Sequence, residues 1–408
     1  MIKQIKLDNG LRLVLEYIPH VQSAAMGIWV NVGSQNETKE VSGVSHFIEH
    51  MMFKGTNKRT YKDIAEDIDR LGGQINAFTG KEATCYYIKT ISDNLLKGAD
   101  VLVDMLTDSV FSDEEMDRER KVVKEEIKMT LDTPDDLAIE KMIELVFKGD
   151  SYGNSILGDD QSLDMIHHKE MKEYFDREYT LDRMLVSVSG NFDEDELVQY
   201  FSKQFTSFRK THQDSAFVRT QYERNDLVIK KDIEQSHIVL GTRAINLLDD
   251  SYYDLVLLNK IFGGSMSSRL FQNLREKKGL AYTVVSMTSF LKEDGYFAIY
   301  AGVSHDRVDE ALEGIKEELD KLLEHGVTVD EVNMAKEQIK SSYIFGQESV
   351  ASRMFTNGKN ILLAGKVDTQ QDVIEKVDRV TVQSIQAMID RICHFEDYTK
   401  VVVTGNGN

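Results

Sequence analysis

The sequence is short of positive charge and of long apolar runs, and each shortage excludes a class of protein. Its 49 Lys and Arg residues face 69 Asp and Glu residues, which gives a formal net charge of -20. Nucleic-acid affinity comes largely from basic residues that neutralise phosphates, so we expect no nucleic-acid partner, and anionic membranes are disfavoured for the same reason. No run of about 18 apolar residues occurs, and the first fifteen residues lack the apolar core of a signal peptide. We therefore predict a cytoplasmic protein that does not associate with membranes.

Cysteine is also scarce, and the spacing of the two cysteines argues against a disulfide framework. Cys85 and Cys393 lie far apart, and Cys85 falls in an apolar and aromatic run. We expect two reduced, partly buried thiols in a reducing compartment, with neither acting as a metal ligand.

The length of 408 residues exceeds what one hydrophobic core usually supports, so at least two domains are expected. Periodicity predicts strands at 11–15, 26–32, 74–78 and 84–91, and the Asn9-Gly10 turn before the first of them is a hairpin signal. Ser42 is predicted to cap one helix, Thr60 and Asp63 resemble a capping box for a second, and a long helical stretch at 94–131 breaks near Ser112. The polar segment 207–222 suits a linker. We predict an N-terminal domain at 1–210, a linker at 211–222 and a C-terminal domain at 223–408.

Two pairs of similar segments indicate that the halves are copies of one plan. VSVSGN at 186–191 is echoed by VVVTGN at 401–406, and the acidic helix start at Asp113 is echoed by the one after Val329. Together they predict two homologous α+β domains, each a mixed β-sheet flanked by helices.

The segment His46-Phe47-Ile48-Glu49-His50 carries the clearest chemistry. Its two histidines are four residues apart, so on a helix they lie on one face about one turn apart and can hold one metal ion. Neutral imidazoles bind zinc, and Glu49 beside them is suited to take a proton from an attacking water. The alternative is a surface helix with two exposed histidines.

A catalytic zinc site needs a third protein ligand and an open position. The acidic helical run at 115–130 offers Glu119, Glu125 and Glu126. Spacing alone does not choose among them, although Glu119 and Glu126, seven residues apart, share a helix face and suit the roles of supporting carboxylate and ligand.

The sequence HFIEH followed by a distant KVVKEEI resembles the pitrilysin and insulin-degrading-enzyme family of metallopeptidases, which includes mitochondrial processing peptidase. The resemblance implies one Zn²⁺ per chain, with His46, His50 and Glu126 as ligands because the third ligand stands 76 residues after the second histidine. It also implies that Glu119 supports the site and that Glu49 activates the hydrolytic water. Cobalt or manganese would also suit these ligands.

The same resemblance extends to residues that would contact substrate. GGQINAFTGKEATCYY from Gly72 is similar to the family's substrate-edge strand, which puts Asn76 and Ala77 beside a bound peptide. The glycine-rich segment from Gly263 precedes Arg275 and Tyr282, which by analogy stabilise charge that develops at the scissile carbonyl. The alternative is a surface arginine and a packed tyrosine.

The chain is about half the size of the family's long members, which carry two such two-domain units. Because one chain holds both the zinc motif and the Arg275 and Tyr282 pair, the resemblance implies a homodimer that encloses a chamber for peptide substrates. The expected activity is zinc-dependent endopeptidase hydrolysis of unfolded peptides or oligopeptides. The alternatives are a noncatalytic scaffold and one subunit of a heterodimeric processing peptidase.

Overall fold

The computed structural model describes residues 2–212 and 217–405, and its first half forms one sheet with helices. The strands are β1 (Ile2–Lys6), β2 (Arg12–Tyr17), β3 (Ser23–Val30), β4 (Gln74–Thr79), β5 (Thr84–Ile91) and β6 (Met184–Gly190). The helices are α1 (Val44–Met52), α2 (Tyr61–Arg70), α3 (Leu95–Asp108), α4 (Asp113–Asp132), α5 (Pro134–Val146), α6 (Asp160–Met165), α7 (His168–Glu178) and α8 (Glu194–Phe201).

The second half repeats this mixture of strands and helices. Its strands are β7 (Asp226–Lys230), β8 (Ser236–Arg243), β9 (Ala281–Phe290), β10 (Gly295–Val303) and β11 (Thr399–Thr404). Its α-helices are α9 (Tyr252–Phe262), α10 (Val308–His325), α11 (Val329–Gly346), α12 (Val350–Ala364), α13 (Gln370–Arg379) and α14 (Val382–Ile392), and a π-helix covers Phe271–Lys277. None of the helices in the described residues is long and apolar enough to cross a membrane.

The two sheets have matching topology. The first has the order β1-β2-β6-β3-β5-β4 and the second the order β7-β11-β8-β10-β9. In each, the last strand in sequence inserts beside an early strand and runs parallel to it, β6 to β2 and β11 to β7, while the other pairings are antiparallel. The sequence echo falls on β6 and β11, although Asn406 lies outside the described residues. The predicted α+β architecture of two similar sheets flanked by helices is confirmed.

Packing divides the described chain into two compact units. Unit 1 contains residues 2–127, 154–212 and 345–367, and unit 2 contains residues 128–153, 217–344 and 368–405. Helix α12 therefore belongs to unit 1, where it packs on β3 and β6, and α5 belongs to unit 2, where it packs on β8 and β11. This grouping differs from two continuous halves because each sheet recruits one helix from the other half of the sequence.

The predicted boundaries at 210 and 223 stay a prediction, since residues 213–216 of the predicted linker lie outside the described part. Several local predictions are confirmed. Strands β1 and β2 lie on either side of the Asn9-Gly10 turn and pair antiparallel. Thr60 and Asp63 form a capping box on α2, and the break near Ser112 separates α3 from α4.

The core of unit 1 lies on the side of the sheet that carries α1, α3 and α4. Met26 and Ile28 of β3 point into this core, whereas the alternate residue Ala25 points to the other face and packs near Met354 of α12. This alternation follows from the two-residue period of a strand. It leaves β4 at the sheet edge with α1 packed beside it.

Candidate metal centre

Helix α1 presents the two histidines of the motif side by side. Val44, Phe47, Ile48 and Met51 are buried in the unit 1 core, which fixes the rotation of the helix about its axis. The imidazole centroids of His46 and His50 are consequently 4.6 Å apart. The spacing of four residues thus produces the shared face that the sequence predicts.

The start of α1 is held by a residue that sequence reasoning missed. We expected Ser42 to cap this helix, but the cap residue is Gly43 in a left-handed conformation (φ 87°), and no side chain at that position caps the helix. Instead, the buried carboxyl group of Glu37 accepts hydrogen bonds from the backbone N–H groups of Gly43 (2.6 Å) and Ser45 (2.8 Å). The Ser42 prediction is wrong because the carboxyl group of Glu37, in the loop before the helix, binds the free amides that a local cap would otherwise bind.

Helix α4 brings the third ligand from a different part of the chain. Its buried residues Met116, Glu119, Val123 and Ile127 recur every three or four positions, so they form one face against the core. Glu126 lies at the edge of this face, with its side chain one-third exposed, whereas Glu125 is exposed. The structure therefore favours Glu126 over Glu125, a choice that spacing alone left open.

The three predicted ligands converge in unit 1. Oε2 of Glu126 lies 3.7 Å from Nε2 of His46 and 3.5 Å from Nε2 of His50. Two ligand atoms bound to one tetrahedral zinc ion at about 2.1 Å would be about 3.4 Å apart. One atom from each residue lies within 4.8 Å of the others, and among the described residues this is the one such group of His, Cys, Asp or Glu suited to a metal. The donors and their spacing fit a divalent cation.

Glu119 orients one of the histidines. Its Oε2 lies 3.0 Å from Nδ1 of His50, and its Oε1 is 2.6 Å from Nζ of Lys54. If Nε2 bound a metal ion, the proton of the neutral imidazole would stand on Nδ1, which would donate a hydrogen bond to Glu119 and so fix the ring and its tautomer. Lys54 was not identified from the sequence, although its position four residues after His50 was an available signal.

His46 has no such support in the described part of the chain, where its buried Nδ1 makes no hydrogen bond. Burial, followed by the neighbouring His50, lowers the pKa of His46 from 6.5 to about 4. The imidazole is therefore neutral near pH 7, which is the form that binds a metal.

Glu49 lies on the same helix but outside the ligand group. Its Oε2 accepts a hydrogen bond of 2.5 Å from Oγ1 of Thr79. Burial raises the pKa of Glu49, while Thr79 and His50 oppose the shift. A carboxylate with a raised pKa beside a metal group suits a general base.

Comparisons with known proteins point the same way. Residues 12–160 match the family described as Insulinase (Peptidase family M16), and residues 166–339 match the Peptidase M16 inactive domain. A Bacillus subtilis (strain 168) protein named "Uncharacterized zinc protease YmxG" is 39% identical over 408 residues, which is 100% of this chain and 99% of that protein. The chain belongs to peptidase family M16.

Further relatives agree with this membership. A Rickettsia felis protein named "Uncharacterized zinc protease" is 38% identical over 98% of this chain and 96% of its own length. Two solved structures share the fold: a Pseudomonas fluorescens "peptidase M16 inactive domain" (TM-score 0.92, 16% identity, covering 100% of this chain and 98% of that one) and a Helicobacter pylori "protease" (TM-score 0.89, 21%, 99% of each). The family resemblance drawn from the HFIEH motif is confirmed.

The predicted substrate strand of this M16 chain is β4, at the edge of the first sheet. Asn76 and Ala77 are neighbours on it and so point to opposite faces, with Asn76 exposed and Ala77 half-buried. Oδ1 of Asn76 accepts the backbone N–H of Ala77 at 2.8 Å. Within the described residues β4 pairs with β5 alone, which leaves its outer edge open for a peptide.

Arg275 and Tyr282 are brought together in unit 2. The guanidinium carbon of Arg275 lies 5.2 Å from the centroid of the Tyr282 ring and 4.7 Å from that of Phe271, within cation–π range. The tyrosine is 76% exposed, so it is not the packed tyrosine of the alternative interpretation. Arg275 stands in the π-helix, a distortion frequent at functional sites. Their contact with substrate stays a prediction.

Proposed function

We propose that this M16 chain is a zinc-dependent endopeptidase that hydrolyses unfolded peptides. The observation that carries the proposal is the convergence of His46, His50 and Glu126, with Glu49 on the same helix. The naming of similar proteins as zinc proteases supports zinc as the metal. The second unit has no comparable group among its described residues, which accords with one metal per chain.

The chain's own residues divide the reaction among them. His46, His50 and Glu126 would hold a zinc ion, which would supply polarisation of the scissile carbonyl and acidification of a water molecule. Glu49 accepts the proton from that water and passes it to the leaving amine. Glu119 keeps His50 oriented throughout. No covalent intermediate with the protein is required.

The open edge of β4 would bind the substrate. An extended peptide adding to this edge forms main-chain hydrogen bonds that do not depend on its side chains, so many sequences are accepted. Asn76 and Ala77 would line this path. Because only an extended chain pairs in this way, folded proteins are poor substrates.

The first experiment separates zinc binding from turnover. The purified chain is incubated with a mixed peptide library, with and without a chelator, alongside Glu49→Gln. We expect chelator-sensitive cleavage by the native chain, and in Glu49→Gln one bound zinc ion with turnover reduced by at least about 100-fold. Loss of zinc from Glu49→Gln would assign Glu49 a structural role. A zinc-loaded native chain without activity would favour the noncatalytic scaffold or the heterodimer subunit.

The partner is proposed to be a second copy of the same chain. In a homodimer that encloses a chamber, Arg275 and Tyr282 of each chain would serve the metal centre of its partner. Chains carrying Glu49→Gln or Tyr282→Phe should each be inactive alone and should regain activity when mixed. No rescue on mixing, with mixed dimers shown by mass, would contradict the shared site.

A cytoplasmic location is proposed as well. Cys85 and Cys393 are both free, as predicted, and are fully buried rather than partly buried. Free thiols accord with a reducing compartment. Cell fractionation with an antibody to the native chain would test the location, and recovery from an extracellular or membrane fraction would contradict it.

A further inference from the structure

The proposed general base is held by a hydroxyl group on the edge strand. Oγ1 of Thr79 donates to Oε2 of Glu49 at 2.5 Å, within the range of a hydrogen bond to an ionised carboxylate. Both residues are half-buried, so bulk water competes weakly for this bond. A threonine hydroxyl has one proton to donate, and here the carboxylate receives it.

This bond restricts a side chain that otherwise has several orientations. Glutamate loses considerable rotamer freedom when it is fixed. One carboxylate oxygen bound to Thr79 sets the plane of the group and leaves its other oxygen to accept a proton. A base must stand within hydrogen-bond reach of the proton it removes, so this orientation matters for turnover.

Thr79 is also the last residue of β4, the strand proposed to pair with substrate. Ile75 and Ala77 of β4 pack against the unit 1 core, and Thr79 shares their face because side chains alternate along a strand. On the neighbouring strand, Thr84 of β5 pairs with Thr79. A peptide that adds to the outer edge of β4 would hold the backbone that carries Thr79.

Unit 2 contains the same type of connection without a base. Oγ of Ser286 in β9 donates to Oδ1 of Asn259 in α9 at 2.7 Å. Strand β9 is the edge strand of its sheet, as β4 is in unit 1. Ser286 lies in the middle of β9, where it pairs with Ile299, whereas Thr79 ends β4, so the two bonds lie at different points of their hairpins. Asn259 is an amide and does not take up a proton. Of these two bonds, the one in unit 1 ends on a carboxylate and the one in unit 2 on an amide.

We propose that Thr79 is a positioning residue that fixes the carboxylate of Glu49 and couples it to the substrate-binding edge of β4. This inference rests on the proposed peptidase function. It assigns Thr79 no direct contact with the metal or the reacting atoms. Its effect is on the chemical step more than on substrate affinity.

The test compares Thr79→Val, which keeps the shape and removes the hydroxyl group, with Thr79→Ser, which keeps the hydroxyl group. For Thr79→Val we expect kcat to fall by about 10- to 100-fold, a part of what a general base supplies, while KM stays within about twofold and zinc content is unchanged. Thr79→Ser should stay within about threefold of the native kcat. Ser286→Ala breaks the hydroxyl bond to Asn259 in unit 2 and should leave kcat unchanged.

A native kcat in Thr79→Val, or an equal loss in Thr79→Ser, would overturn the proposal. A fall in kcat for Ser286→Ala as large as that for Thr79→Val would mean that the connection is purely architectural, which also overturns it. The activity of the native chain and of Glu49→Gln decides the peptidase function separately.

Crystal structures of the zinc-loaded variants supply a readout that does not depend on turnover. The Glu49 carboxylate should change orientation, or adopt several, in Thr79→Val and keep its place in Thr79→Ser. An unchanged Glu49 in both variants would refute positioning by Thr79 even if the chain hydrolyses no peptide.

Discussion

Replacing Lys54 with methionine should weaken zinc binding although Lys54 is not a ligand. The Glu119 side chain is 8% exposed and makes an ion pair of 2.6 Å with Lys54, whose side chain is 29% exposed. Removing one partner of a fully buried pair costs about 3–5 kcal/mol, and water that reaches this partly exposed site offsets much of that. We therefore expect the loss of Lys54 to destabilise the observed position of the Glu119 side chain by about 1–2 kcal/mol.

That cost is transmitted to the metal through His50, which Glu119 contacts at 3.0 Å. Loss of an outer partner of a metal-binding histidine typically lowers affinity by about 10- to 100-fold, and 1.4 kcal/mol corresponds to about tenfold. We therefore expect Lys54→Met to bind zinc about tenfold more weakly, whereas Glu119→Gln, which alters the contact itself, should approach the upper limit.

Competition with a fluorescent chelator at fixed pH measures this affinity, and urea unfolding of the zinc-free protein measures any general loss of stability. Lys58→Met is the matched control, because Lys58 forms ion pairs with Asp104 (3.3 Å) and Asp108 (3.0 Å), which are not among the site residues, and is 67% exposed. Zinc affinity of Lys54→Met within twofold of native, or an equal loss in Lys58→Met, would refute the reasoning.

Two further predictions concern the support of the site and of its sheet. Burial raises the pKa of Glu37 from 4.5 to about 8, so the folded protein takes up a proton between these values and the stability contributed by this group declines as pH rises through them. Urea titrations should show the unfolding free energy of the native chain falling relative to Glu37→Gln from pH 5 to pH 8, and a constant difference would contradict this. Gly358→Ala should destabilise by about 1–3 kcal/mol, since a Cβ there would lie 2.1 Å from Nε1 of the buried Trp29. Gly346→Ala, with no atom within 4 Å of the added Cβ, is its control and should be close to neutral in the same titrations.

The sequence was most informative where the chemistry is local. Residues four apart on one helix share a face whatever the rest of the fold does, so the His46 and His50 pair was predictable from spacing alone. The choice of Glu126 required more, because three glutamates of one helical run were available. The family resemblance made that choice, and the rotation of α4 in the structure agrees with it.

Tertiary support for the site was not predictable in the same way. Glu37 precedes His46 by nine residues and acts through the path of the loop between them, which no periodicity encodes. Thr79 meets Glu49 only because β4 lies beside α1. Such contacts depend on how elements pack, whereas patterns in sequence report what each element does alone.

The assignment of α5 and α12 to sheets shows the same limit. An apolar helix face predicts burial but does not name the surface that buries it. In unit 1, α12 is selected by polar contacts as well, since Asn357 donates to Oε2 of the buried Glu16 at 2.8 Å and Arg353 makes an ion pair with Oε1 of Glu16 at 2.6 Å. Glu16 gains these two partners only when α12, from the second half of the sequence, packs on the first sheet.

The exchange of α5 and α12 between the two halves of the sequence makes each unit depend on both halves. Sheet 1 is completed by α12 and sheet 2 by α5, so neither half of the sequence supplies all the helices of its own unit. Without α12, the first half of the sequence would leave Trp29, Ala25 and the carboxyl group of Glu16 without the helix that covers them. Exposing apolar groups and removing hydrogen-bond partners both cost free energy. The second half of the sequence therefore remains necessary to unit 1, because it supplies α12. Unit 2 has an edge strand, β9, but its described residues include no group of His, Cys, Asp or Glu suited to a metal.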